Sequence, residues 1–274
     1  KFTGTCVACM GMIVWTVSAR WESSQFRIYF VRHGESEWTF MNKFCGWVDV
    51  SLTEKGRKEA LQAATVLKEQ NKQFDIAFTS LLSRATETLD IILQHLKQTD
   101  LPVVQAWQLN ERHYGDLTGY NKVEMAEKYG LEQVQIWRRS FDIIPPPMEE
   151  DHKYYIDIVE NPKFTDIQDE IPKVESLKTT MERAIPFWNN EIVPCIKSGK
   201  RVLVVCHGTT LRGIVKHLSQ ITDEDIMEVN LPTGIPFYYE FNEKLVPVVC
   251  MKFLSDEKTV QEAMAKVASI GEKK

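Results

Sequence analysis

The chain has 274 residues, 43% hydrophobic and 26% charged, a balance that lets it bury its own core without covalent staples. Its net charge of −5 gives no bulk attraction for a polynucleotide, so nucleic acid is excluded as an expected partner, while a local cluster of cations can still hold a small anion. Its six cysteines show no disulfide framework, and no apolar run reaches membrane-spanning length, so no membrane partner is expected.

Residues 1–25 read as an N-terminal extension. Cys6 and Cys9 form a lone C-x-x-C, with neither a second pair nor a βαβ context for zinc or redox chemistry. The apolar run from Cys6 to Val17 has the length of a signal-peptide core, but only Lys1 precedes it. From Phe26 onward strand and helix patterns alternate. Phe26 to Val31 is a β-rich apolar run ending at Arg32-His33-Gly34. Thr53 caps a helix to Gln70, with Leu61, Ala64 and Leu67 at helical spacing. Phe74 to Thr79 predicts a strand, Leu82 to Leu96 an amphipathic helix, and Pro102 to Trp107 a third strand. Residues 120–175, with Pro145, Pro146 and Pro147, read as an irregular insertion over the core. Arg201 to Cys206 is the clearest buried strand; it runs into His207-Gly208 and a helix from Thr210 to Leu218. The pattern predicts one α/β domain over 26–274, with a mostly parallel central sheet covered by helices on both faces.

In such a sheet ligands bind beyond the C-terminal strand ends. Two strong strands each end in His-Gly, so side-by-side pairing would bring His33 and His207 together. A glycine after each histidine would let the backbone approach a ligand. The helix opened after His207 would favour an anion, and Arg32 can grip phosphate through two hydrogen bonds. A neutral histidine can attack phosphorus, and a protonated second one can stabilise the charge that develops. Arg84, Lys122, Arg138 and Arg139 are further candidate cations. Glu111, in the polar run Asn110 to Gly115, is the leading acid/base candidate, with a structural Glu–Arg pair nearly as good a reading. With no H-x-x-x-H pair and no carboxylate cluster beside either histidine, no metal is expected.

The run Val31 to Trp38 (VRHGESEW) resembles the signature of the histidine phosphatase superfamily. FTSLLSRA (Phe78 to Ala85), LNERHYGDLTG (Leu109 to Gly119), IWRRSFD (Ile136 to Asp142), PPPME (Pro145 to Glu149) and LPTGIP (Leu231 to Pro236) resemble its cofactor-dependent phosphoglycerate mutases. The resemblance implies a phosphoglycerate mutase-like three-layer sandwich, cytoplasmic and homodimeric, acting in glycolysis and gluconeogenesis without a metal. The implied reaction interconverts 3-phosphoglycerate and 2-phosphoglycerate through a phosphohistidine primed by 2,3-bisphosphoglycerate. It makes His33 the nucleophile, Glu111 the proton carrier and His207 the transition-state stabiliser. Arg32, Ser36, Thr39, Cys45, Gly46, Arg84, Arg112, His113, Tyr114, Lys122, Arg138, Arg139, Gly208 and Thr209 fall at its substrate-binding positions, and the Lys-rich tail from Ala265 to Lys274 resembles one that closes over the site.

Two departures bear on rate: Thr39 stands where the family usually has Asn, and Thr209-Thr210 where it has Asn-Ser. Ser36 and Gly46 look like the mutase branch, whereas Cys45 looks like the related bisphosphoglycerate synthases. The competing readings are therefore a synthase or phosphatase of the same superfamily, in which water can take the phosphoryl group, and a catalytically weak paralogue that only binds.

Overall fold

The computed structural model describes residues 25–269. The Cys6–Cys9 pair, the Cys6 to Val17 run and the last lysines lie outside the described residues. In chain order the elements are β1 (Phe26–Arg32), α1 (Glu37–Phe40), α2 (Glu54–Glu69), β2 (Ile76–Thr79), α3 (Ser83–Leu96) and β3 (Val103–Gln105). Then come α4 (Lys122–Tyr129), α5 (Leu131–Arg139), α6 (Tyr155–Val159), α7 (Leu177–Phe187), α8 (Val193–Lys197), β4 (Val202–Cys206) and α9 (Gly208–Ser219). β5 (Phe237–Phe241), β6 (Pro247–Phe253) and α10 (Glu257–Ala268) follow.

The strands form one sheet in the order β3-β2-β4-β1-β5-β6. The first four are mutually parallel; β5 pairs antiparallel with β1, and β6 pairs antiparallel with β5 at the sheet edge. Alternation along the strands feeds two cores. Ile28, Phe30, Val202 and Val204 face Leu177, Trp188, Ile192, Leu211 and Ile214, so α7, α8 and α9 cover that face. Tyr29, Val31, Leu203 and Val205 face Ala63, Ala64, Leu67, Leu89 and Ile92, so α2 and α3 cover the other. This is the expected sandwich, and its central strands read as continuous apolar runs because both faces are buried.

Three details differ from the sequence reading. Leu61 is 45% exposed; α2 instead buries a small-residue stripe of Ala60, Ala63, Ala64 and Leu67, which lets it lie close to the sheet. Residues 120–175 are not irregular throughout. They hold α4, α5, α6 and a 3-10 segment (Pro162–Glu170), anchored by Met125, Val134 and Trp137 in one cluster and Met148, Ile158 and Phe164 in another. The expected strand from Pro102 to Trp107 shortens to β3, because Trp107–Leu109 winds into a 3-10 turn. Among the described residues no helix is long and apolar enough to cross a membrane.

Candidate active site

β1 and β4 pair in parallel with Arg32 opposite Cys206, and the His33 amide donates to the Cys206 carbonyl at 3.0 Å. The next residue on each strand is therefore a histidine at the same height. Their rings lie 4.9 Å apart, as the paired His-Gly turns predicted. His33 Nδ1 is 2.7 Å from the Gly34 carbonyl. Because a carbonyl only accepts, Nδ1 carries the proton and Nε2 keeps its lone pair. His207 Nε2 meets the Ser80 hydroxyl at 2.7 Å, leaving Nδ1 buried with no hydrogen-bond partner among the described residues.

Burial, then the charges of Arg84 and Arg32, pushes the His33 imidazolium well below its usual range. Burial and Arg84 do the same to His207. His207 is thus held neutral by its surroundings, not the protonated group expected from sequence.

A cavity of about 100 Å³ opens beside His33. Among the described residues it is lined by seven cationic side chains, Arg32, Lys43, Arg84, Lys122, Arg138, Arg139 and Arg212, against one carboxylate, Glu111. Burial lowers Lys122 to about 7, with Arg138 adding repulsion. Arg138 and Arg212 fall to about 9 through burial and then Arg139. Several of these groups are locked. Arg84 donates to the Gly46 and Val48 carbonyls at 2.7 and 3.0 Å, and Arg32 Nη1 to the Leu231 carbonyl at 2.7 Å. Arg112 is fully buried, and its Nε and Nη1 have no hydrogen-bond partner among the described residues.

Glu111 is held by two amides. Its carboxylate accepts Arg112 N at 2.8 Å and Thr209 N, in the first turn of α9, at 3.2 Å. Thr209 contributes here through its backbone, which any residue would supply. Thr39, Cys45, Tyr114 and Gly208 also line the cavity, and the Thr39 hydroxyl shares a hydrogen with Ser36 Oγ at 2.9 Å.

Other expected residues lie behind the lining. Ser36 caps α1. Gly46, at φ +56°, offers its carbonyl to Arg84. His113 packs against Trp47 and accepts the Gly115 amide at 3.0 Å, and burial lowers it to about 3. It sits in the scaffold and does not reach the cavity. The two glycines serve packing as well: a Cβ on Gly34 would fall 2.2 Å from the Gly56 carbonyl oxygen, and one on Gly208 would fall 3.1 Å from Arg32 Nε. The close approach at Gly34 is to the backbone of Gly56.

Sequence reasoning missed Lys43 and Arg212. Lys43 carries no local signal. Arg212 does: it is a charge inside the apolar stretch Leu211 to Val215, and it turns to the Arg139 and Ile226 carbonyls at 3.0 and 2.7 Å. Val267 of α10 also reaches the rim, where Arg139 Nη2 meets its carbonyl at 3.4 Å. No cluster of three or more His, Cys, Asp or Glu suited to a metal occurs among the described residues.

The sequence profile of the histidine phosphatase superfamily (branch 1) matches residues 28–155 and 147–244. Among solved structures, the fold resembles a phosphoglycerate mutase from Bacillus anthracis at a TM-score of 0.61, with 21% identity over 92% of this chain and 100% of that one. A mycobacterial glucosyl-3-phosphoglycerate phosphatase matches at 0.60, with 20% identity over 78% and 92%. An α-ribazole phosphatase from Shigella flexneri matches at 0.60, with 20% identity over 84% and 97%. At these identities the likeness is one of fold.

Proposed function

The chain belongs to the histidine phosphatase superfamily, branch 1, and from that premise we propose that it is a phosphoglycerate mutase carrying a phosphoryl group on His33. The observation behind this reading is the His33–His207 pair set in a wall of seven cations with a single carboxylate. A phosphatase working through the same phosphohistidine would need the imidazoles but not so many cations. The surplus of positive charge, and buried guanidinium and imidazole nitrogens without partners, fits a ligand with several anionic groups.

In this reading His33 Nε2 attacks phosphorus, the N–P bond forming as the bond to the leaving oxygen breaks. Glu111 gives that oxygen its proton, and later takes a proton from the hydroxyl that receives the phosphoryl group back. His207 Nδ1 and Arg32 face the equatorial oxygens, where negative charge gathers in the in-line transition state. A bound dianion would reverse the electrostatic balance that keeps His207 neutral. 2,3-Bisphosphoglycerate supplies the first phosphoryl group. Val267, at the end of α10, borders the cavity that would receive the ligand. Homodimeric assembly and a cytoplasmic role in glycolysis and gluconeogenesis belong to the same proposal.

Phosphorus NMR tests it. With 3-phosphoglycerate and catalytic 2,3-bisphosphoglycerate, 2-phosphoglycerate should accumulate, and omitting the primer should stop it. Free phosphate alone would mean a phosphatase, and bound ligand without turnover a binding protein. His33→Ala should abolish the acid-labile phosphoenzyme; its persistence would sink the reading.

A further inference from the structure

The segment carrying Glu111 lies between two single 3-10 turns, Trp107–Leu109 and Gly115–Leu117, and has no sheet ladder to hold it. Several side chains hold it from behind, Thr210 Oγ1 donating to the Asn110 carbonyl at 2.6 Å, and the one that reaches most of its carbonyls is Arg183. Arg183, on α7, has 7% of its side chain exposed and Glu175 has 4%. Arg183 Nε and Nη2 donate to the two Glu175 oxygens at 2.7 and 3.0 Å. Nη1 donates to the Gln108 and Asn110 carbonyls at 2.7 and 3.0 Å, and Nη2 also to the Glu111 carbonyl at 3.0 Å. Glu175 in turn accepts the His113 amide at 2.7 Å.

All five N–H groups of one guanidinium are thereby used, and a buried ion pair pins the backbone on both sides of Glu111. On the site side, among the described residues, the Arg112 and Thr209 amides aim the Glu111 carboxylate. Arg183 does not line the cavity, so it has no contact with a substrate there.

We infer that Arg183, paired with Glu175, is the positioning residue for Glu111: it fixes the carboxylate against the start of α9 and so governs proton transfer without touching the phosphoryl donor. This rests on the proposed role of Glu111 as proton carrier. Lysine keeps the charge but concentrates its donors on one nitrogen, so it cannot span the carbonyls that the planar fork reaches.

The test compares two phosphoryl donors in Arg183→Lys. Turnover of 3-phosphoglycerate requires a proton at an alkoxide oxygen, so kcat should fall about 100-fold with KM changed less than about threefold. With p-nitrophenyl phosphate, the His33 N–P bond forms as p-nitrophenolate leaves with its electron pair and needs no proton. Single-turnover release of p-nitrophenolate should therefore change less than about threefold. In a Glu111→Gln background, Arg183→Lys should add no further loss, because both act on one step. Equal losses with both donors, multiplicative losses in the double variant, or undiminished turnover would overturn the inference. If Arg183→Lys does not fold, Glu175→Gln is read by the same criteria. Absence of phosphohistidine in the wild-type protein overturns the functional reading and this inference with it; phosphohistidine with undiminished Arg183→Lys turnover overturns the inference alone.

Discussion

Lys122 shows how the site stores its preference for anions in single residues. Its ammonium lies 5.2 Å over the Phe44 ring and donates to the Lys43 carbonyl. Burial and Arg138 bring its pKa from 10.5 to about 7. Near neutrality, therefore, Lys122 is charged in part of the molecules. A bound anion favours the charged form and raises that pKa, so binding takes up a proton. The sign follows: anion affinity is greatest below about pH 7 and weakens as pH rises through it, by up to about tenfold per unit. Sulfate does not titrate in this range, which makes it a clean probe. Calorimetric titration with sulfate between about pH 6 and pH 8 should show the fall in affinity. Lys122→Met should bind weakly at every pH with a flattened slope; an unchanged slope would assign the titration to another group.

At the scale of elements, the position of His33 depends on how α2 meets the loop after β1. A Cβ on Gly56, in the first turn of α2, would fall 2.0 Å from the Glu35 carbonyl oxygen, and the reciprocal contact from Gly34 is 2.2 Å. Both obstacles are backbone, which cannot rotate away. Ala would gain about 1 kcal/mol of helix propensity over Gly, but forcing α2 off the loop costs about 1–3 kcal/mol or more. Gly56→Ala should thus show a net loss in urea denaturation together with slower phosphorylation of His33. Wild-type stability in that variant would show that the loop moves freely. Such contacts explain what the sequence hid. The central strands, Thr53 as a cap and the convergence of His33 with His207 were legible, because apolar runs and strand ends obey local rules. Thr53 does accept the Gly56 amide at 3.0 Å. The antiparallel β5 and β6 escaped because their pairing is set by the Asn242–Val246 turn and not by a crossover helix. Lys43 and Arg183 escaped because their partners lie far along the chain, as when Arg183 reaches back to Gln108.

At the scale of the whole molecule, three buried imidazoles tie the stability of the fold to pH. His33, His113 and His207 are all buried with lowered pKa values, His113 to about 3, and in each case burial is the leading cause. Below about pH 6.5 the unfolded chain binds protons on these imidazoles while the folded chain does not. Stability present above that pH is then lost as pH falls, at about 1.4 kcal/mol per unit for each fully engaged histidine. The three differ in surroundings. His33 and His207 lie against the cation wall, where an anion would make their charged forms favourable. His113 faces His152, Arg183 and Trp47, out of an anion's reach. Saturating sulfate should therefore relieve the acid sensitivity of the first two and leave that of the third. Urea denaturation from about pH 7.5 to pH 5 should show a shallower acid loss with sulfate than without. His113→Gln, whose amide oxygen can still accept the Gly115 amide, should reduce the loss that remains in sulfate by about one histidine's share. Equal acid slopes with and without sulfate would mean that the His33 and His207 imidazoles do not sense the cavity, and the electrostatic link between site and fold would fail.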